Sequence, residues 1–362
     1  MSARLDERAE RERSRANGHD NTGPTVRIRN AAEIAATLPR SAWLLRPYLE
    51  RDSIAILYGD YGTYKSFVAL DWAMRIALGL PALGHAWAAE AGDVVFISAE
   101  GRGLAQRLRG WCIRHMPDEP YSRVLGRARL YCVEHAVNLS DPISALALVN
   151  QIDALGIEPV CIIVDTMSRN SDGTIENSTS DAAAYLAIID QRLRARYRCA
   201  VLLPHHVGHT EKGRIRGPIV LAANTDTLIH IERTDPTQRL ATLTVERAKD
   251  SEPPPPQGLR ADVVEIGEND EDGQPITTLA LSATDAPVPS ATPSQPRGQA
   301  QRQLLAALRA QNTPGRIWTT SEIREAGRIA GLHRNSLRRA VDWLTTSPHL
   351  TPTVGGWRLT DE

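Results

Sequence analysis

Lysine is nearly absent from this chain. Lys65, Lys212 and Lys249 stand alone among 42 basic residues, leaving 39 arginines. Each of the three falls in a segment suited to handling phosphate. Cysteine is scarce too: Cys112, Cys132, Cys161 and Cys199 lie far apart with no CxxC pair. Two sit in apolar, strand-like runs, so buried thiols in a reducing cytoplasm are the plain reading. No apolar run approaches the ~18–20 residues that span a bilayer, which argues against a membrane protein. Residues 1–27 are broken by Arg, Glu, Asp and Gly and lack the apolar stretch of a secretory signal, so a cytoplasmic location is expected. The net charge of -1 excludes a polycation.

What is there is ordinary globular material. Hydrophobic residues make up 42% and charged residues 23%, over 362 residues, which predicts two folded units plus tails. Residues 1–27 read as a disordered arm. From about Ile28 the pattern turns periodic. Helix-like Ala31–Leu38 comes first, then Trp43–Leu49 leads into the strand Ile54–Tyr58.

Apolar runs then recur at Val94–Ser98, Arg129–Val133, Val160–Val164 and Cys199–Leu203. Helix-like stretches Ser66–Leu78, Gly103–His115, Pro142–Leu155 and Ser180–Tyr197 separate them. Continuous β-branched runs suit strands buried on both faces, so the expected fold class is α/β: a mainly parallel sheet with helices on both faces. Thr227–Ile231 and Thr242–Glu246 add two strands. Asp250–Pro289 carries nine acidic residues against one arginine and holds a predicted hairpin, Ala261–Ile266 and Ile276–Ser282, turned at Glu268–Gly273. The expected organisation is a core over 28–285, a Pro/Ser linker over 286–297 and a small basic domain over 298–362. No internal repeat is visible.

Leu57-Tyr58-Gly59-Asp60-Tyr61-Gly62-Thr63-Tyr64-Lys65-Ser66 follows a strand and opens a helix, the context a phosphate-binding P-loop requires. Glycines let successive backbone N–H groups turn inward around a phosphate, and the helix N-terminus adds partial positive charge. Gly59 through Phe67 are the candidate nucleotide-binding residues. Lys65 would reach the β- and γ-phosphates of ATP, and Ser66 would bind Mg²⁺. Tyr64 stands where the pattern GxxxxGK[ST] wants glycine. A degenerate, inactive P-loop and a Gly-rich turn with a chance Lys-Ser are the alternatives.

Other candidates lie where the predicted strands end. Asp165 closes an apolar strand and would hold a Mg²⁺-bound water beside Ser66. Glu100, after Val94–Ser98, could polarise the attacking water; a surface Glu opening the next helix is the bland reading. His205, His206 and His209 raise zinc, which no nearby Cys or carboxylate supports; a polar sensor of the γ-phosphate fits better, because this strand also ends at the nucleotide edge. The loop after them is basic and Gly-rich, with Lys212, Arg214 and Arg216. Arg216 or Arg214 could enter a neighbouring subunit's site as an arginine finger, unless the loop is simply solvated. Arg247 and Lys249 place two cations on one side of a strand.

In the C-terminal part, Gln299–Arg309 is amphipathic, Thr320–Ala326 opens on a capping pattern, and Ser336–Leu344 follows a tight turn at Gly331–Asn335. His349–Leu359 reads as a hairpin. This order resembles a winged helix-turn-helix, whose second helix enters the DNA major groove. Arg334, Arg338 and Arg339 are then the candidate duplex-DNA contacts. A protein-interaction module is the alternative.

The core resembles the RecA-like P-loop ATPases, and among them the RepA-type hexameric helicases of plasmids and phages. The resemblance rests on GDYGTYKSFVALDWA, FISAEGRG, CIIVDTMSR, DGTIENSTSD, PHHVGHTEKGRIRG and ERAKD, in that order, over about two thirds of the chain. It implies ATP hydrolysis at subunit interfaces of a homo-oligomeric, hexameric ring acting on single-stranded DNA. By resemblance, Lys65 and Ser66 bind phosphate and Mg²⁺, Glu100 activates water and Asp165 supports the metal. His205 would couple the γ-phosphate to a DNA-facing loop, and Arg216 would be the finger acting in trans. Arg247 and Lys249 would enter the adjacent site. Glu176, Asn177 and Asp181 would lie near the nucleotide or the central channel. The implied activity is that of a replicative helicase. A DNA-binding regulator or helicase loader with slow hydrolysis, and a recombinase-type filament, are the alternatives.

Overall fold

A computed structural model of the chain describes residues 29–36, 43–99, 103–173, 175, 178–206, 219–235, 237–249, 251–285, 298–313, 315–347 and 349–360. Contacts divide the chain into Met1–Ala42 and Trp43–Glu362. In the first unit, helix α1 (Ala31–Ala36) buries none of its side chains. Asn30 precedes it, its Oδ1 accepting from the Ala32 N–H at 2.8 Å.

The second unit is built on a nine-stranded sheet. A short hairpin, β1 (Trp43–Leu45) and β2 (Leu49–Glu50), precedes it. In chain order the sheet strands are β3 (Ile54–Gly59), β4 (Asp93–Ser98), β5 (Leu130–Val133), β6 (Pro159–Asp165), β7 (Ala200–His206), β8 (Thr227–Asp235), β9 (Leu240–Ala248), β10 (Gln257–Asn269) and β11 (Pro275–Thr284). In space they run β11-β10-β9-β8-β3-β7-β6-β4-β5. The six strands from β8 to β5 are mutually parallel, and β9, β10 and β11 pair antiparallel. Strand β7 therefore separates the strand ending in Gly59 from the strand ending in Asp165.

The parallel strands are apolar on both faces because both are covered. In β3, Ala55 and Leu57 pack on one side with helix α2 (Lys65–Leu78). Ile54, Ile56 and Tyr58 pack on the other with α5 (Pro142–Ala154) and α6 (Thr179–Ile188). Helix α3 (Leu104–His115) lies against β10 and β11. Helix α5 starts where its sequence predicts: Asp141 accepts from the Ile143 and Ser144 N–H groups, and Pro142 occupies the first turn.

The structure adds elements that periodicity does not show. Helix α4 (Tyr121–Arg127) and helix α7 (Ile219–Ala223) are too short to display a repeat, and α4 buries Val124 alone. Strand β10 runs well beyond the expected Ala261–Ile266, because backbone pairing with β11 continues through polar residues.

A separate apolar cluster is built by α8 (Gln299–Gln311), α9 (Thr320–Ile329), α10 (Arg334–Thr346) and the hairpin β12 (Leu350–Thr353) with β13 (Gly356–Leu359). Leu304, Leu308, Trp318, Ile323 and Leu344 are at its centre. Thr319 and Glu322 cap α9 reciprocally.

A polar network is buried where α2 meets α3. Asp71 receives the Arg75 Nε–H at 2.7 Å and the Trp111 indole N–H at 2.8 Å, and His115 Nε2 lies 3.7 Å away. Burial drives the His115 imidazole down to about 4, against the pull of Asp71. A histidine kept neutral in the fold but free to protonate when unfolded supports the fold fully above its ordinary value of 6.5. That support is lost as the pH falls from there towards 4. The loss should reach about 3 kcal/mol near pH 4. Denaturant melts at pH 7 and pH 4.5 would show the decline, and His115→Gln should flatten it. An equal decline in the variant would remove His115 as its source.

Candidate nucleotide site

The loop between β3 and α2 closes around the Lys65 ammonium. Its Nζ donates to Gly59 O at 2.9 Å and Asp60 O at 2.7 Å, with Thr63 Oγ1 at 3.5 Å. Thr63 braces the turn, its hydroxyl donating to Asp60 O at 2.8 Å. Gly59 is required here: a Cβ would fall 2.3 Å from the carbonyl oxygen of Ile231 on β8. Gly62 takes φ 76°. Tyr64 takes φ 69° and ψ 18°, the left-handed conformation that the expected glycine would adopt freely. The loop thus keeps its path despite the tyrosine, at a strain of about 1–2 kcal/mol.

Ser66 follows in the first turn of α2 and donates to Asp165 Oδ1 at 3.1 Å. The two residues are 99 apart in sequence, and their pairing is what a shared Mg²⁺ needs. Asp165 is buried, and its carbonyl accepts from Ala99 N–H at 2.9 Å, so the ends of β4 and β6 lie side by side. Glu100 itself lies outside the described residues, as do Lys212, Arg214, Arg216, Glu176 and Asn177.

His205 is fully buried on β7, in register with Tyr58 of β3. His206, the next residue, faces the opposite way, and its ring lies 6.4 Å from that of Tyr61 at the loop tip. Strand alternation therefore splits the adjacent histidines. Phe67 packs against the core and under the Arg107 guanidinium, 5.0 Å from its ring. Asp181 stands in the first turn of α6, where its N–H is capped by Ser178.

Arg247 and Lys249 are not brought to this loop. Arg247 donates to Thr225 O, and Lys249 Nζ lies 3.4 Å from Asp226 Oδ1. Asp226 accepts from the Ile54 N–H at 2.9 Å, so the pair sits at the amino end of β3, while Lys65 follows its carboxyl end. The expected approach of this pair to the phosphates is therefore not made within one copy of the chain.

One residue beside the loop escapes sequence inspection. Arg233 of β8 lies with one guanidinium nitrogen 3.8 Å from where a Cβ on Gly62 would stand. Only the parallel pairing of β8 with β3 carries it there.

In the C-terminal cluster, Arg334 and Arg338 of α10 share a groove with Arg324 and Arg328 of α9. Leu332 and Leu337 floor it. All four arginines are exposed, and Arg328 pairs with Glu325 at 2.8 Å. The side chain of Arg339 is outside the described set. Each helix carries its two arginines four residues apart, and Asp342 lines the groove with them. Among the described residues, no helix is long and apolar enough to cross a membrane.

Comparison with known proteins agrees with the loop's geometry. The family model described as an AAA domain (AAA_25) matches residues 23–212, just over half of the chain. No curated protein matches by sequence. Among solved structures, the crystal structure of the RadB recombinase aligns with a TM-score of 0.42 at 15% identity, covering 58% of this chain and 87% of that one. With a strand-loop-helix that buries a lysine, a serine bonded to a distant aspartate, and a family match spanning all of them, the chain belongs to the AAA domain family.

Proposed function

We propose that the chain is an ATP-hydrolysing replicative DNA helicase of a mobile element, such as a plasmid or phage, acting as a ring on single-stranded DNA. The observation that carries this reading is the split between its cations. Lys65 and Ser66 stand at one end of β3, whereas Arg247 and Lys249 stand at the other. One copy supplies the loop and the next supplies the pair. Arg216, on the basic loop after β7, would act in the same trans manner.

The residues suit ATP and Mg²⁺. Ser66 Oγ and Asp165 would hold the cation, directly or through water, and the backbone N–H groups from Gly62 to Ser66 would face the phosphates. When bound, the magnesium neutralises charge developing on the phosphate oxygens. Lys65 would neutralise the β- and γ-phosphates. Glu100 would orient the attacking water, and His205 would report the γ-phosphate to the loop that follows it. Lys212 and Arg214 of that loop would hold the single strand. Arg324, Arg328, Arg334 and Arg338, with Arg339, would hold duplex DNA.

ATPase rate measured with and without single-stranded DNA, on a size-fractionated sample of known mass, tests the reading. Stimulation of about tenfold or more is expected, lost as salt rises, because phosphate contacts release counterions. Tyr64 favours a second reading, a regulator or helicase loader with slow hydrolysis, since its strained loop is the departure most able to slow turnover. An unstimulated rate with tight binding to one duplex site would select that reading. Extended filaments in particle images would select a recombinase-type ATPase.

A further inference from the structure

We propose that Arg233 is an additional phosphate-binding cation of the nucleotide site, aimed by the ring of Tyr64. The inference rests on the phosphate-loop reading and goes beyond it, because no motif in the sequence marks Arg233.

The Arg233 guanidinium lies 5.4 Å from the centre of the Tyr64 ring. Tyr64 meets Phe67 edge to face at 6.5 Å, and Arg107 covers Phe67. A cation, two aromatic rings and a second cation thus run from β8 across the start of α2 to α3. Such a ladder helps to set the plane of the guanidinium.

Its placement has an electrostatic consequence. Arg233 beside Gly62 and Lys65 inside the loop both stand at the start of a helix whose N-terminus is itself positive. Like charges at one loop repel, and a polyphosphate turns that repulsion into attraction. Tyr64 also becomes explicable. Glycine would adopt φ 69° without strain, but it would leave Arg233 no ring to stack on. The tyrosine accepts a strained backbone and gains control of the arginine.

The test is equilibrium binding of Mg·ATP, with inorganic tripolyphosphate as competitor, to the full chain. Arg233→Ala should weaken both by about tenfold, the scale of one lost charge-assisted hydrogen bond. Arg233→Gln, the milder change, should fall the same way if the alanine variant folds poorly. Tyr64→Gly should weaken binding despite relieving the backbone, and Tyr64→Phe should bind more tightly than Tyr64→Gly. In the Tyr64→Gly background, Arg233→Gln should cost less than in the unsubstituted chain. Unchanged affinity in folded Arg233→Gln overturns the proposal. So does a loss seen with ATP while tripolyphosphate competes as before, which would make Arg233 a base contact. If the unsubstituted chain binds Mg·ATP and Lys65→Ala does not, while Arg233→Gln binds unchanged, the phosphate-loop reading stands and this proposal alone fails; if the unsubstituted chain binds no Mg·ATP, both fail.

Discussion

Lys65→Ala is expected to lower ATP hydrolysis by on the order of 10³-fold or more, while leaving the fold intact. The ammonium is buried inside the loop, and three loop oxygens surround it. A charge held in a water-poor site interacts with developing phosphate charge far more strongly than a solvated one. About 4 kcal/mol of transition-state stabilisation corresponds to that factor. The side chain contributes little to the two apolar layers, which are built by β3, α2, α5 and α6. The variant should therefore give the far-UV circular dichroism spectrum of the unsubstituted chain. Phosphate release measured at saturating ATP is the check. Ordinary turnover in the variant would mean that the loop is not the site.

Arg216→Ala should stop turnover and spare nucleotide binding. Arginine fingers contribute on the order of 10³–10⁵-fold to hydrolysis. Arg216 follows the buried His205 strand, within the basic loop that the described residues do not include. If it acts on a neighbour's nucleotide, loss of the side chain is felt by the next copy. Equal amounts of variant and unsubstituted chain, mixed before assembly, should then give well under half the unmixed rate. A rate of one half would mean that the pockets fire independently of one another, and full turnover by the variant alone would remove the arginine from the reaction.

How much of this was legible beforehand varies by element. The loop from Gly59 to Ser66 and the strand ending in Asp165 are local signals: a glycine pattern and an apolar run stopped by a carboxylate. Their meeting at 3.1 Å follows once a parallel sheet is assumed. The alternation of apolar runs with helical stretches likewise announced the α/β class. Strand order was not legible. Nothing in residues 199–206 says that β7 inserts between β3 and β6, because parallel neighbours are chosen by long-range packing. Arg233 and the far placement of Arg247 and Lys249 were hidden for the same reason. The short helix Tyr121–Arg127 was missed because seven residues give no readable period. The role of Tyr64 needed a backbone angle and a guanidinium distance, neither of which a motif contains.

Strand β8 touches both groups of cations. Near one end Ile231 presses on Gly59 and Arg233 overhangs Gly62. At the other, Asp226 leads into the strand beside Lys249. The span between is about 23 Å of paired backbone with no glycine to bend it. Its pairing with β9 shifts register between Leu228 and Ile229, while its pairing with β3 runs unbroken from Thr227 to His230. If Arg247 and Lys249 enter another copy's pocket, as proposed, this one strand would tie each pocket to the one that follows it.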